Sequence, residues 1–184
     1  MTTEQFSDIN GKMALPRKPK KEPSIDLDRI DLKILDILQE DNQVTNLDLA
    51  ERVGLSPPPC LRRVRRLHEL GVITGDVALV DPAKLGRTII AFVGVELDRQ
   101  REDVLANFER RIVAEPEVQQ CYFVSGEVDY LLVVTCIDMP SYNDFARRVL
   151  ANEHNIKRFR TSFNLARVKY ETKLPLTNAP SLGR

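Results

Sequence analysis

Cysteine, histidine and long apolar runs are scarce in this chain, and each scarcity removes a class of function. Its 184 residues contain 3 cysteines, Cys60, Cys121 and Cys136, and 2 histidines, His68 and His154. An odd cysteine count without CxxC or CxxxxC clustering supports neither a disulfide framework nor a thiolate metal site. Reduced, buried thiols are the expectation. The histidines lie far apart in sequence, so no metal and no other cofactor is expected. No apolar run approaches the roughly 20 residues of a membrane span. The first residues lack the apolar core of a signal peptide. A cytoplasmic protein without a membrane partner is therefore expected. Charge is balanced at 27 Lys+Arg against 27 Asp+Glu, so net charge neither supports nor excludes a polyanion. The distribution matters more: segment 25–53 is acidic and 62–66 densely basic.

The length fits one mid-sized domain or two small ones. Residues 1–24 hold Pro16, Pro19 and Pro23 among Lys18, Lys20 and Lys21 with few apolar anchors. They read as a disordered basic tail, either solubilising or adding non-specific phosphate contacts. Helical periodicity begins near Asp28, with Ile30, Ile34 and Leu38 on one stripe and Asp26 or Asp28 as cap. Thr45 opens a second helix with Asp48 in a capping-box-like pair, and Gly54 terminates it. Ser56 is placed to cap a third helix. Pro57–Pro58–Pro59 at its entrance are tolerated where helix N–H groups are unused. A residue before proline avoids the α region, so regular helix is expected from Pro59.

That third helix carries four arginines within five positions. Leu61, Val64 and Leu67 recur at helical spacing as the apolar stripe, which puts Arg62 and Arg66 opposite it and Arg63 and Arg65 on its flanks. A charge run is most often a solvated helix face. Two capped helices directly before this one turn the reading to a helix-turn-helix, with the third helix in the major groove. Ser56, Pro58 and Pro59 then stand near the base edges, and Arg62 is the candidate base contact. Arg63 projects from an exposed face, and Arg65 and Arg66 are candidate phosphate contacts. Cys60 falls on the apolar side as a core residue.

Residues 72–80 read as a strand and exit linker. Then follow a strand at 88–97, an amphipathic helix at 102–114 with Leu105, Phe108 and Ile112 inward, and strands at 118–125 and 130–136 joined by a hairpin. A helix capped by Asp138 and a long strand at 156–171 complete the series. The order βαββαβ is ferredoxin-like. The fold class is α+β: an N-terminal winged helix-turn-helix domain (25–75), a linker strand (76–87), a ferredoxin-like domain (88–176) and a C-terminal tail (177–184). Both faces of strand 88–97 are apolar, so the side without helices needs cover. A second copy of the sheet, in a two-fold dimer, would supply it.

The whole of 25–176 resembles the Lrp/AsnC (leucine-responsive, feast/famine) transcription regulators. The carrying segments are DRIDLKILDILQEDNQVTNLDLAERVGLSPPPCLRRVRRLHELGVITG and VSGEVDYLL. The first resembles the family's helix-turn-helix, the second its ligand-sensing hairpin loop. The resemblance implies a double-stranded pseudo-palindromic operator and a nucleoid-associated location. It also implies a free amino acid as effector and a homodimer assembling further, commonly to an octamer. In the loop Ser125–Asp129, Gly126 would let backbone N–H groups approach a carboxylate. Asp129 would pair with an ammonium. By resemblance the pocket also draws on Tyr122, Val124 and the last strand near Arg160 and Ser162. An arginine at 160 would favour an acidic ligand or form an ion pair. A plain hairpin turn accounts for Gly126 equally well.

The competing functions are a ligand-independent architectural DNA-binding protein, a ligand-binding module without its own DNA role, and an enzyme subunit similar to certain tetrapyrrole decarboxylases. The arginine-rich third helix and the two-histidine composition favour an amino-acid-responsive regulator that is not an enzyme.

Overall fold

The computed structural model describes residues 25–86 and 89–176, so the expected tails at 1–24 and 177–184 lie outside the described residues. Chain contacts divide these residues into a helical unit, 25–79 together with 168–176, and a sheet unit, 80–167. No helix among the described residues is long and apolar enough to cross a membrane.

The helical unit contains α1 (Arg29–Glu40), α2 (Asn46–Val53) and α3 (Pro57–Glu69). Asp28 caps α1 through a reciprocal capping box with Asp31, which satisfies otherwise orphaned N–H groups at both positions. The Thr45 hydroxyl accepts from the Asp48 N–H at 3.1 Å, and Gly54 ends α2 in the left-handed region at φ 80°. Ile34, Leu35, Ile37, Leu49, Ala50, Val53, Cys60 and Leu67 form the core. Full burial of one such Leu or Ile side chain contributes about 1.5–3 kcal/mol.

Three local expectations are corrected here. Helix α3 begins at Pro57, not Pro59, because the fixed proline φ already suits a first helical turn. Its buried stripe runs through Cys60 and Leu67 with Val64 beside them, whereas Leu61 is 37% exposed. Residues 72–80 form no strand. Val77 and Leu79 are exposed, and an extended segment without a hydrogen-bonding neighbour is not a strand.

The sheet unit follows a short 3₁₀ turn at Pro82–Leu85 and contains β1 (Ile89–Leu97), α4 (Glu102–Val113), β2 (Val118–Phe123), β3 (Tyr130–Cys136), α5 (Met139–Phe145) and β4 (Ile156–Phe163). Helix α5 continues as a π-helical segment, Ala146–Ala151. The strands lie in the order β2-β3-β1-β4 and every neighbouring pair is antiparallel, the ferredoxin-like arrangement. Ala91, Val93, Val95 and Leu97 face Phe108, Ile112, Phe145 and Val149 in one core. The expected strand at 156–171 stops at Phe163. Its partner β1 begins at Ile89, and the Asn164 N–H makes the last bond, to the Ile90 carbonyl at 2.8 Å. Among the described residues the ladder goes no further.

Candidate nucleic-acid interface and effector site

The buried stripe decides which arginines α3 presents. Helical residues advance about 100° each. With Cys60, Val64 and Leu67 turned inward, Arg62 and Arg65 point away from the core and Arg63 lies beside it. Arg62 and Arg65 are exposed, and no hydrogen bond or ion pair holds either among the described residues. Arg63 and Arg66 are committed instead. The Arg63 Nη1 donates to Asp28 Oδ2 at 2.7 Å and to Asp31 Oδ1 at 2.8 Å. The Arg66 Nη1 donates to Asp31 Oδ2 at 3.1 Å, and its Nη2 to the Asp26 carbonyl at 2.9 Å. Asp31 is 1% exposed. The stripe Leu61–Val64–Leu67 expected from the sequence put Arg66 opposite the core and Arg63 on its flank, and the observed stripe Cys60–Val64–Leu67 turns both closer to Asp31.

Asp31 was missed altogether as a site residue. Its place three positions after Asp28 signals a capping box. Nothing local signals partners 32 and 35 residues away. Partial burial works against ionisation of Asp28, but the Asp31 N–H and the Arg63 guanidinium outweigh it and hold the Asp28 carboxyl below its ordinary value. Asp31 and then Asp28 raise the Arg63 guanidinium further. Burial pushes the Cys60 thiol up against the opposing field of Arg63, which keeps the thiol protonated and unreactive.

The entrance to α3 has an unusual donor inventory. Ser56 occupies the cap position, as expected, but its side chain makes no capping bond. A cap oxygen accepts from the second or third helical N–H, and Pro58 and Pro59 have none. The first amide hydrogen of the helix belongs to Cys60, which donates to the Ser56 carbonyl at 3.3 Å. Ser56 and Pro58 are exposed, and Pro57 and Pro59 half-buried. The Asn46 amide anchors this entrance from α2, donating to the Pro57 carbonyl at 2.9 Å.

In the sheet unit, strand register brings three expected residues to one face. Tyr122, Leu131, Gly94 and Arg160 stand in one row across β2, β3, β1 and β4, and Gln120, Val133, Phe92 and Ser162 in the next. This face is opposite the helices. Val124 and Ser125 leave β2, and Gly126 turns the loop at φ 134°, a conformation that L side chains rarely adopt. The loop then folds back so that Val128 packs on Gly94, where an added methyl would meet it at 3.1 Å. Sequence reasoning missed the role of Gly94, although a glycine inside a strand signals close approach.

Asp129 is differently placed from the expectation. Its carboxylate accepts from the Leu97 N–H at 2.6 Å and the Gln100 amide at 2.5 Å. Its own N–H donates to the Val95 carbonyl at 2.8 Å. The group is engaged in pinning the loop to the end of β1. Arg160 does form an ion pair, with Glu127 Oε2 at 3.5 Å, but both side chains are largely exposed and such a pair holds weakly. No group of metal-binding side chains occurs among the described residues.

Residues 27–74 match the family model of a winged helix-turn-helix DNA-binding domain, and residues 90–174 that of an Lrp/AsnC ligand binding domain. The leucine-responsive regulatory protein of Rhizobium meliloti is 43% identical over 145 residues, covering 79% of this chain and 93% of that protein. This chain belongs to the Lrp/AsnC family of transcriptional regulators. The leucine-responsive regulatory protein of Escherichia coli is 41% identical over 155 residues, covering 84% of this chain and 94% of its own. A transcriptional regulator of Neisseria meningitidis, crystallised as a complex with L-Met, superposes with a TM-score of 0.77 at 38% identity. It covers 82% of this chain and 97% of that one. The two-domain order read from the sequence is that of an Lrp/AsnC regulator, a DNA-binding domain followed by a ligand-binding domain.

Proposed function

We propose that this Lrp/AsnC regulator reads a pseudo-palindromic operator through α3 and answers to a free amino acid bound at the 125–129 loop. The single observation that carries the DNA reading is the outward presentation of Arg62 and Arg65 opposite the Cys60–Leu67 stripe. Arg62, nearer the helix entrance, contacts base edges, and Arg65 a phosphate. Ser56, Pro58 and Pro59 line the entrance. Arg63 and Arg66 act through Asp31, holding α3 against α1 rather than gripping DNA. The test is a gel-shift titration against DNA fragments selected by the protein from a random pool. Arg62→Ala with Arg65→Ala should weaken binding at least tenfold without altering the fold, and unchanged affinity would overturn the assignment.

For the effector, the supporting observation is the shared face of Tyr122, Arg160 and Ser162 beside the Gly126 turn. The exposed loop backbone would receive the carboxylate, and Asp129 would support the loop rather than meet the ammonium directly. Arg160 favours an acidic side chain on the ligand. Because the same sheet face carries exposed Phe92 and Tyr122, we assign it also to a dimer contact, with dimers assembling to an octamer. A cytoplasmic, nucleoid-associated location follows from DNA as partner. A thermal-shift screen of the twenty amino acids tests the effector reading. A ligand at 100 times its Kd raises stability by about 2.7 kcal/mol, and a flat response to all twenty would favour a ligand-independent architectural role.

A further inference from the structure

The residues after β4 return to the helical unit. Strand β4 ends at Phe163, and residues 164–172 have no regular structure. Lys173 then places its ammonium on α1, 2.9 Å from Asp36 Oδ1 and 2.5 Å from Glu40 Oε1. Asp36 and Glu40 are four apart and so share one helix face. Gln39, on the same stretch, treats the incoming backbone as a peptide group would. Its Nε2 donates to the Leu174 carbonyl at 3.2 Å, and the Leu174 N–H donates to its Oε1 at 2.7 Å. Leu176 packs against the helical core.

An exposed ion pair alone contributes little. Here two ion pairs, a two-point amide contact and an apolar contact act within four consecutive residues. Lys173 keeps only 26% of its side-chain exposure, so its aliphatic stem is laid down on the helix. Glu40 and then Asp36 raise its ammonium above the ordinary lysine value.

We propose that residues 173–176 are a strap that anchors the chain leaving β4 onto α1. The helical unit then has two covalent tethers to the sheet unit. One is the linker after α3; the other descends from the strand that carries Arg160 and Ser162. A change at β4 passes through residues 164–172 to α1, and from α1 through Asp31, Arg63 and Arg66 to α3. The consequence for DNA rests on the reading of α3 given above, but the strap itself does not, and its test needs neither DNA nor effector.

Hydrogen exchange read by mass spectrometry on the full chain provides that test. Lys173→Glu sets a third carboxylate beside Asp36 and Glu40. Amides in the last turn of α1 should exchange at least tenfold faster, and those at Ser162 and Phe163 at least threefold faster, with β2 and β3 unchanged. Adding Glu40→Lys to Lys173→Glu restores an opposite pair and should recover most of the protection. Unchanged exchange at α1, a change at α1 without one at β4, or no recovery in the double variant would each overturn the proposal. A second measurement covers a variant that folds poorly. Gln39→Cys with Leu174→Cys, in a Cys121→Ser chain oxidised with diamide, should close a disulfide within one chain. A disulfide joining two chains would show that the strap belongs to a neighbouring copy and would overturn the in-chain tether.

Discussion

Arg62 and Arg63 are adjacent, alike in chemistry and opposite in consequence. Arg63 shares the buried Asp31 carboxylate with Arg66. Removing Arg63 leaves that carboxylate partly unsatisfied, at a cost of about 1–3 kcal/mol. Arg63→Ala should therefore lower the unfolding temperature clearly, while Arg62→Ala leaves it within error and loses DNA affinity. Thermal unfolding beside gel shifts separates the two. Ser56 gives a sharper contrast. Ser→Ala at a helix cap ordinarily costs about 1 kcal/mol. With proline at the next three positions there is no amide hydrogen to lose, so Ser56→Ala should change stability by less than about 0.5 kcal/mol. A loss of about 1 kcal/mol in chemical denaturation would show that the hydroxyl caps the helix after all. Sequence reading placed Ser56 at the cap correctly and missed that the prolines leave it nothing to cap.

At the scale of elements, the hold of α1 on α3 is a carboxylate device and carries a pH signature. The Asp28 carboxyl is lowered from an ordinary value of 3.8. So is that of Asp138, which caps α5 through the Ser141 hydroxyl and N–H. A group lowered in the folded state binds fewer protons there than in the unfolded chain. Its contribution is complete above 3.8 and is lost as pH falls below that value through the lower folded one. Unfolding free energy should be flat between pH 5 and 7, by this account, and decline below about pH 4. Asp28→Asn should shrink the decline. An undiminished acid decline in that variant would remove Asp28 from the explanation. The Asp28 cap was legible locally as one of two candidate acids. The pairing of Asp31 with Arg63 and Arg66 was not, because a buried carboxylate is recognised only when its distant partners are brought to it.

At the scale of the whole molecule, the face of the sheet unit that carries Phe92 and Tyr122 bears none of that unit's described helices, and we assign it to a dimer contact. Phe92 is 41% exposed and Tyr122 50% exposed, with Val133 in the row of Phe92 and Leu131 in that of Tyr122. A charge at Phe92 would have to be desolvated on assembly with no partner to receive it. Phe92→Glu should convert the proposed assembly to a folded monomer in sedimentation velocity, with its circular dichroism spectrum retained. Persistence of the wild-type assembly would place the contact elsewhere. The same variant should weaken DNA binding, since the proposed dimer would hold the two half-sites of a palindrome together.

Periodicity and punctuation alone determined the two-domain order, the three helices with their turns, the βαββαβ series and the inward face of α4. These are local properties: a 3.6- or 2-residue repeat, a capping side chain, a glycine or proline at an end. Tertiary structure decided what depends on rotation, reach and pairing. The stripe of α3 turned from Leu61 toward Cys60, which left Arg65 facing outward and brought Arg66 to Asp31. Asp129 found donors at Leu97 and Gln100 and became a support for its loop. Residues 72–80 and 165–171, extended enough in pattern to read as strand, join no ladder among the described residues, because a strand exists only where a neighbour supplies its hydrogen bonds.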